Sequence, residues 1–142
     1  MASFYLTIVT PDGSFFDEEA ENLSLRTAEG DLGILANHID LVTPIGIGEA
    51  RVTSGGNTRH AACIGGLLSI SGGEVRVVAT TFEWAEDIDE ERARLAEDKA
   101  LKRLEEKDLS ETDRRIQEAK YRRAVVRANI ARAYRESRPL SR

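Results

Sequence analysis

The chain has 142 residues, 41% of them hydrophobic, and a formal net charge of −5. That length suits one medium domain or two small ones, with roughly 68–70% of the unfolded surface buried on folding. The single cysteine, Cys63, excludes a disulfide framework within one chain and fits a reducing compartment. No run approaches the ~20 apolar residues of a membrane-spanning helix, and Met1–Tyr5 lacks the basic and apolar regions of a signal peptide. These features predict a cytosolic protein, or one held at the cytosolic side of something else.

Phe4–Thr10 is aromatic and β-branched, with Phe4, Leu6 and Ile8 on one face, and Pro11-Asp12-Gly13 turns the chain. Glu21–Thr27 alternates again until Gly30. Ser54-Gly55-Gly56-Asn57 separates Ala50–Thr53 from Thr58–Ile64, and Ser71-Gly72-Gly73 separates Leu67–Ile70 from Val75–Thr81. Both read as hairpins. Short strands about ten residues apart predict a β-sandwich or flattened barrel over residues 1–84. The glycine-rich stretch Gly65–Gly73 lacks the Lys-Ser/Thr ending of a phosphate loop and reads as a tight sheet corner followed by a hairpin.

The pattern changes at residue 82, and residues 85–142 read as a helical hairpin. Asp87, three residues before Glu90, is the expected N-cap of a first helix running to about Glu106. Lys107-Asp108-Leu109 is the turn. Ser110 caps a second helix from Glu111 to about Arg135, and Pro139 lies beyond its end. At 100° per residue Ala93, Ala96, Ala100 and Leu104 share a face of the first helix, and Ile116, Ala119, Val126, Ile130, Ala133 and Tyr134 form a stripe on the second. Charge divides with the pattern: residues 1–82 hold four Lys/Arg against ten Asp/Glu, whereas residues 110–142 hold ten against four. Arg123 falls inside the second stripe, Arg127 lies at its edge, and Arg92, Lys99 and Arg103 flank the alanine face. These cations either snorkel on a solvated hairpin or form a pocket for a polyanionic ligand.

The residues offer no catalytic constellation. His38 and His60 have no partner at metal-ligand spacing, and no Gly-x-Ser-x-Gly elbow supports a nucleophile. A free-standing nucleic-acid adaptor using the basic second helix is the alternative from a different class. It lacks an aromatic stacking platform, and its sandwich is acidic.

Several segments together resemble the epsilon subunit of bacterial F-type ATP synthases. Val9–Gly13 looks like that family's first strand and turn. Gly30-Asp31-Leu32-Gly33-Ile34-Leu35-Ala36-Asn37-His38 looks like its Gly-x-x-Gly-Ile-Leu-Pro-x-His segment, with Ala36 in the proline position. Gly65–Leu68 and Val75–Ala79 match its final strands. The resemblance implies a sandwich of about ten strands followed by an α-helical hairpin, in a non-catalytic rotor subunit of a proton- or sodium-translocating synthase. It implies that the sandwich sits beside the gamma subunit and on the c-ring, with Glu29, Asp31 and His38 near the ring's loops. It also implies a peripheral position on the cytoplasmic side of the bacterial membrane, touching the membrane only through the complex, with no nucleic acid.

In that family the hairpin is implied to be permissive when folded down. When extended along gamma, it reaches the beta subunits and hinders ATP hydrolysis. Ile88-Asp89-Glu90-Glu91-Arg92-Ala93 matches the motif of members that bind ATP as a regulatory ligand. The resemblance assigns Glu83, Ile88, Asp89, Arg92, Ala93, Lys99, Arg123 and Arg127 to that nucleotide, with Lys99 where a tight binder can carry arginine. No catalytic cofactor and no metal is implied.

Overall fold

The computed structural model describes residues 2–138, so Pro139 lies outside the described residues. Eight strands come first: β1 (Phe4–Thr10), β2 (Gly13–Ala20), β3 (Asn22–Thr27), β4 (Gly30–Ile34), β5 (Leu41–Pro44), β6 (Ile47–Ser54), β7 (Asn57–Ser71) and β8 (Glu74–Trp84). A 3-10 turn at Ala85–Asp87 leads into α1 (Glu90–Leu104) and α2 (Glu111–Ser137). The β unit ends at Trp84 and the helical unit starts at Ala85.

In the β unit the strand order is β2-β1-β8-β7-β6-β3-β4, with β5 on β7. Neighbours are antiparallel except β1 and β8, which run parallel with Leu6 opposite Val75. Alternation dictates the core: Phe4, Leu6 and Ile8 from β1, Leu23 and Leu25 from β3, Leu68 and Ile70 from β7, and Val75, Val77 and Ala79 from β8 are all buried. Phe82 stands edge-on to Trp84 with ring centroids 4.9 Å apart, and Phe15 packs on Phe82 at 5.4 Å. The Arg59 guanidinium covers Trp84 at 3.6 Å.

Both expected double-glycine hairpins form. Gly55 and Gly56 take φ of 59° and 80°, and Gly72 and Gly73 take 57° and 83°, which supplies the twist of a two-residue turn. The Gly65-Gly66 corner also forms, but inside a single 15-residue strand. Pairing of β7 with β8 passes from Ile64↔Thr81 to Gly66↔Ala79 across it. Each of these two long strands therefore contributes two legs, so the count of about ten strands corresponds to eight continuous ones. The segment Gly13–Ala20, which carries three consecutive acidic residues and little alternation, is also a strand. It pairs with β1 throughout, with a register shift between Ile8 and Val9.

Cys63 is buried in this core, and desolvation pushes its thiol up to about 12. A thiol-specific alkylating reagent at neutral pH should leave the folded chain unmodified and react with it in denaturant. Comparable rates in both states would contradict this burial.

Candidate functional site

Within the helical unit, α1 begins two residues later than the sequence suggests. Asp87 lies in the 3-10 turn, because the Ile88 N–H donates to the Ala85 carbonyl. Asp89 is the N-cap instead: its carboxylate accepts from the Arg92 N–H at 3.1 Å. The cap explains why an aspartate stands three residues before Arg92, since it satisfies one of the helix's orphan donors. Ser110 caps α2 as expected, accepting from the Asp113 N–H.

The faces that pack match the expected ones in part: Ala93, Ala100 and Ile130 are buried as expected. On α1, Ala93 and Ala100 are buried but Ala96 is exposed. On α2 the buried residues are Ala124, Ala128, Ile130 and Ala131, whereas Ile116 and Ala133 are exposed. On α2 the expected stripe was weighted to the larger apolar residues and so lay to one side of the buried alanines. The buried alanines follow a 3-4 spacing, Ala93 and Ala100 on α1 and Ala124, Ala128 and Ala131 on α2, with Ile130 buried beside them. Half-buried Glu90, Glu97 and Leu104 continue that spacing on α1, as half-buried Arg114, Gln117 and Tyr121 and exposed Arg135 do on α2. Alanine permits close approach of two helices but buries little area, so the seam contributes modestly to stability.

Polar contacts close this seam at both ends. Near the turn, Arg114 Nη1 donates to the Leu104 carbonyl at 3.3 Å. At the open end, Arg135 donates from Nε to Glu90 Oε1 at 2.8 Å and from Nη2 to Oε2 at 3.2 Å. Arg94 approaches the same carboxylate at 3.6 Å. The hydrogen bond from Arg135, more than any other influence, holds the Glu90 carboxyl below the usual carboxylate range, and it raises the Arg135 guanidinium in turn. A carboxyl depressed in this way contributes stability at neutral pH and loses it as pH falls through its folded value. Sequence reasoning missed Glu90, Arg114 and Arg135. Their signal was the continuation of the 3-4 spacing beyond the alanines.

The expected nucleotide residues divide between the units: Glu83 belongs to β8, and the other seven belong to the helical unit. Ile88 and Ala93 are buried, and Arg92 and Lys99, seven residues apart, project exposed from one side of α1. Arg123 and Arg127 are half-buried on α2 one turn apart, and Arg127 already has an interaction partner in the protein. Of the residues expected at the ring, Glu29 and Asp31 flank Gly30 at the tight β3–β4 turn. Asp31 is exposed and pairs with Arg26 at 3.5 Å. His38 lies in the loop after β4, with Nδ1 donating to the Ile39 carbonyl at 2.8 Å. Asn37 beside it adopts a left-handed φ of 67°. Among the described residues no group of three or more His, Cys, Asp or Glu could hold a metal ion. No helix of the described residues is long and apolar enough to cross a membrane.

Residues 3–85 match the β-sandwich domain of the ATP synthase delta/epsilon chain. The chain is 40% identical over 136 residues to the ATP synthase epsilon chain of Caldicellulosiruptor bescii, covering 96% of this chain and 98% of the relative. It is 41% identical over 131 residues to that of Bacillus velezensis, covering 92% and 98%. Its fold superposes with a TM-score of 0.76 on a chain in the cryo-EM structure of the Euglena gracilis mitochondrial ATP synthase (OSCP, F1 and c-ring), at 25% identity over 88% of this chain and 79% of that one. A chain in the Tetrahymena thermophila mitochondrial central stalk and c-ring gives 0.62 at 10% identity, covering 89% and 95%, a likeness of fold alone. The chain belongs to the ATP synthase epsilon-chain family, and is thus a non-catalytic subunit of the synthase.

Proposed function

We propose that this subunit is a rotor component that reports ATP level through its helical hairpin. In this reading the β unit rests beside gamma on the c-ring, through the turn carrying Glu29 and Asp31 and the loop carrying His38. The hairpin hinders ATP hydrolysis when extended towards the beta subunits, and bound ATP stabilises its closed form. Residues 110–142, with ten Lys/Arg against four Asp/Glu, suit an acidic surface, so the inhibitory contact should weaken as salt rises.

One observation carries the nucleotide part: a complete Ile-Asp-x-x-Arg-Ala motif opens α1 beside a seam too poor in apolar area to be strongly stable alone. Ile88 and Ala93 would supply an apolar shelf for adenine and Asp89 an acceptor for its edge. Arg92, Lys99, Arg123 and Arg127 would neutralise the phosphates, although Lys99 lacks the forked contact of an arginine. A ligand specific for the closed form stabilises it by about 2.7 kcal/mol at a hundred times its dissociation constant. That shifts a balanced equilibrium to about 99:1. ATP should therefore raise the melting temperature of the full chain, and the double variant Arg92→Ala/Arg123→Ala should not respond. An equal rise in both proteins refutes the site.

A second reading is favoured by the Glu90–Arg135 pair, which closes the hairpin with protein groups alone: the hairpin inhibits without a physiological nucleotide response. ATP titration of the full chain to millimolar concentration separates the readings, since only the first requires saturable binding there.

A further inference from the structure

We infer that Glu90 and Arg135 form a latch that determines how often the two helices part at their open end when no nucleotide is bound. The inference rests on the reading of the hairpin as a two-state element but not on ATP binding. Glu90 is the first residue of α1 and Arg135 lies in the last turn of α2. They are 45 positions apart in sequence yet share two hydrogen bonds in a forked geometry. A fork fixes both the separation and the orientation of the two groups, which a single contact cannot do.

Each charge also sits where its own helix favours it. The carboxylate lies at the positive N-terminus of α1 and the guanidinium at the negative C-terminus of α2. Opening the hairpin leaves both charges favourably placed in water, so the latch releases without stranding either one. The Glu90 side chain is 22% exposed against 63% for Arg135. The carboxylate is thus the anchored half, steadied further by Arg94, and the arginine is the arm that lets go. Alanine spacing alone gives no such switch: Ala124, Ala128 and Ala131 pack without charge and are indifferent to salt. The latch makes closure sensitive to ionic strength, and it acts at the end of the hairpin farthest from the turn.

The test uses the full chain without nucleotide, carrying spin labels at Leu95→Cys and Asn129→Cys, both exposed, on a Cys63→Ala background. Interspin distances then give the open and closed populations. Glu90→Gln and Arg135→Gln should each raise the open-to-closed ratio about two- to fivefold. The double variant should do no more than either single one. High salt should reproduce the shift in the unaltered latch and add little in the variants. Arg115→Gln, which breaks an exposed pair with Glu111 inside α2, should leave the distances unchanged. Additive effects of the two latch substitutions, or distances identical to the unaltered protein, would overturn the latch. A repeat with ATP tests the nucleotide reading separately: no shift on adding ATP refutes that reading and leaves the latch intact.

Discussion

Gly66→Val is expected to destabilise the β unit severely, by about 2–6 kcal/mol. Gly66 has φ of +103°, a conformation that β-branched side chains strongly disfavour. A Cβ there would stand 2.0 Å from the Val78 carbonyl oxygen and 2.8 Å from the Ala79 Cα. Both obstacles are backbone of the neighbouring strand, so no side chain can swing aside. Strain of about 1–3 kcal/mol adds to overpacking of about 1–3 kcal/mol, against a total stability of roughly 5–15 kcal/mol for a domain. Because β7 and β8 bend together at this point, separating them there disturbs the Leu68 and Val77 layers as well. Gly72→Asn is the matched control. Its φ of +57° suits asparagine, and nothing lies within 4 Å of its added Cβ. Chemical denaturation should show the Gly72 variant close to the parent and the Gly66 variant unfolding at a much lower denaturant concentration. A Gly66 variant as stable as the Gly72 variant would mean that the two strands do not approach so closely.

Much of the β unit could be read in the sequence, because its information is local. Phe4, Leu6 and Ile8 state a face by alternation, and paired glycines state a two-residue hairpin. The Gly13–Ala20 strand was less legible: Asp17, Glu18 and Glu19 hide a period of two, and its pairing with Phe4–Thr10 fixes it more than its own composition does. On the helical unit, caps and helix limits came within two residues. The packed face was read better on α1, where Ala93 and Ala100 are buried, than on α2, where of the expected stripe only Ile130 is buried. A hydrophobic stripe weights Ile116 and Val126 above any alanine. In a seam built mainly of small residues, size and spacing decide which face packs, and Ile116 is left exposed while Ile130 stays buried. The same weighting hid Glu90 and Arg135, which read as helix-surface charges until the two ends of the hairpin are brought together. Family likeness supplied the proposed site residues at the start of α1, and the structure gives a local role to one of them: Asp89 is the cap that starts the helix.

This weak seam makes the hairpin vulnerable to a single enlarged residue. Ala128 is fully buried on α2, which packs chiefly on α1 and the Ala85–Asp87 turn. Ala128→Leu adds three carbons where two helices have closed around a methyl group. Overpacking of about 1–3 kcal/mol then falls on an interface with little apolar area to absorb it, shifting closure about 5- to 140-fold towards the open form at 1.4 kcal/mol per factor of ten. Ala133→Leu, the same change at an exposed position of the same helix, should have almost no effect, and leucine is a good helix former at both sites. Amide hydrogen exchange along α1 and α2 should therefore quicken in the Ala128 variant while the β unit keeps its protection. In the reconstituted synthase, the proposed function requires that this variant hold ATP hydrolysis down at ATP concentrations that release the parent. Unchanged exchange in Ala128→Leu would place the seam on another face of α2. Faster exchange with hydrolysis released as in the parent would leave the seam standing and remove the link between closure and permissiveness.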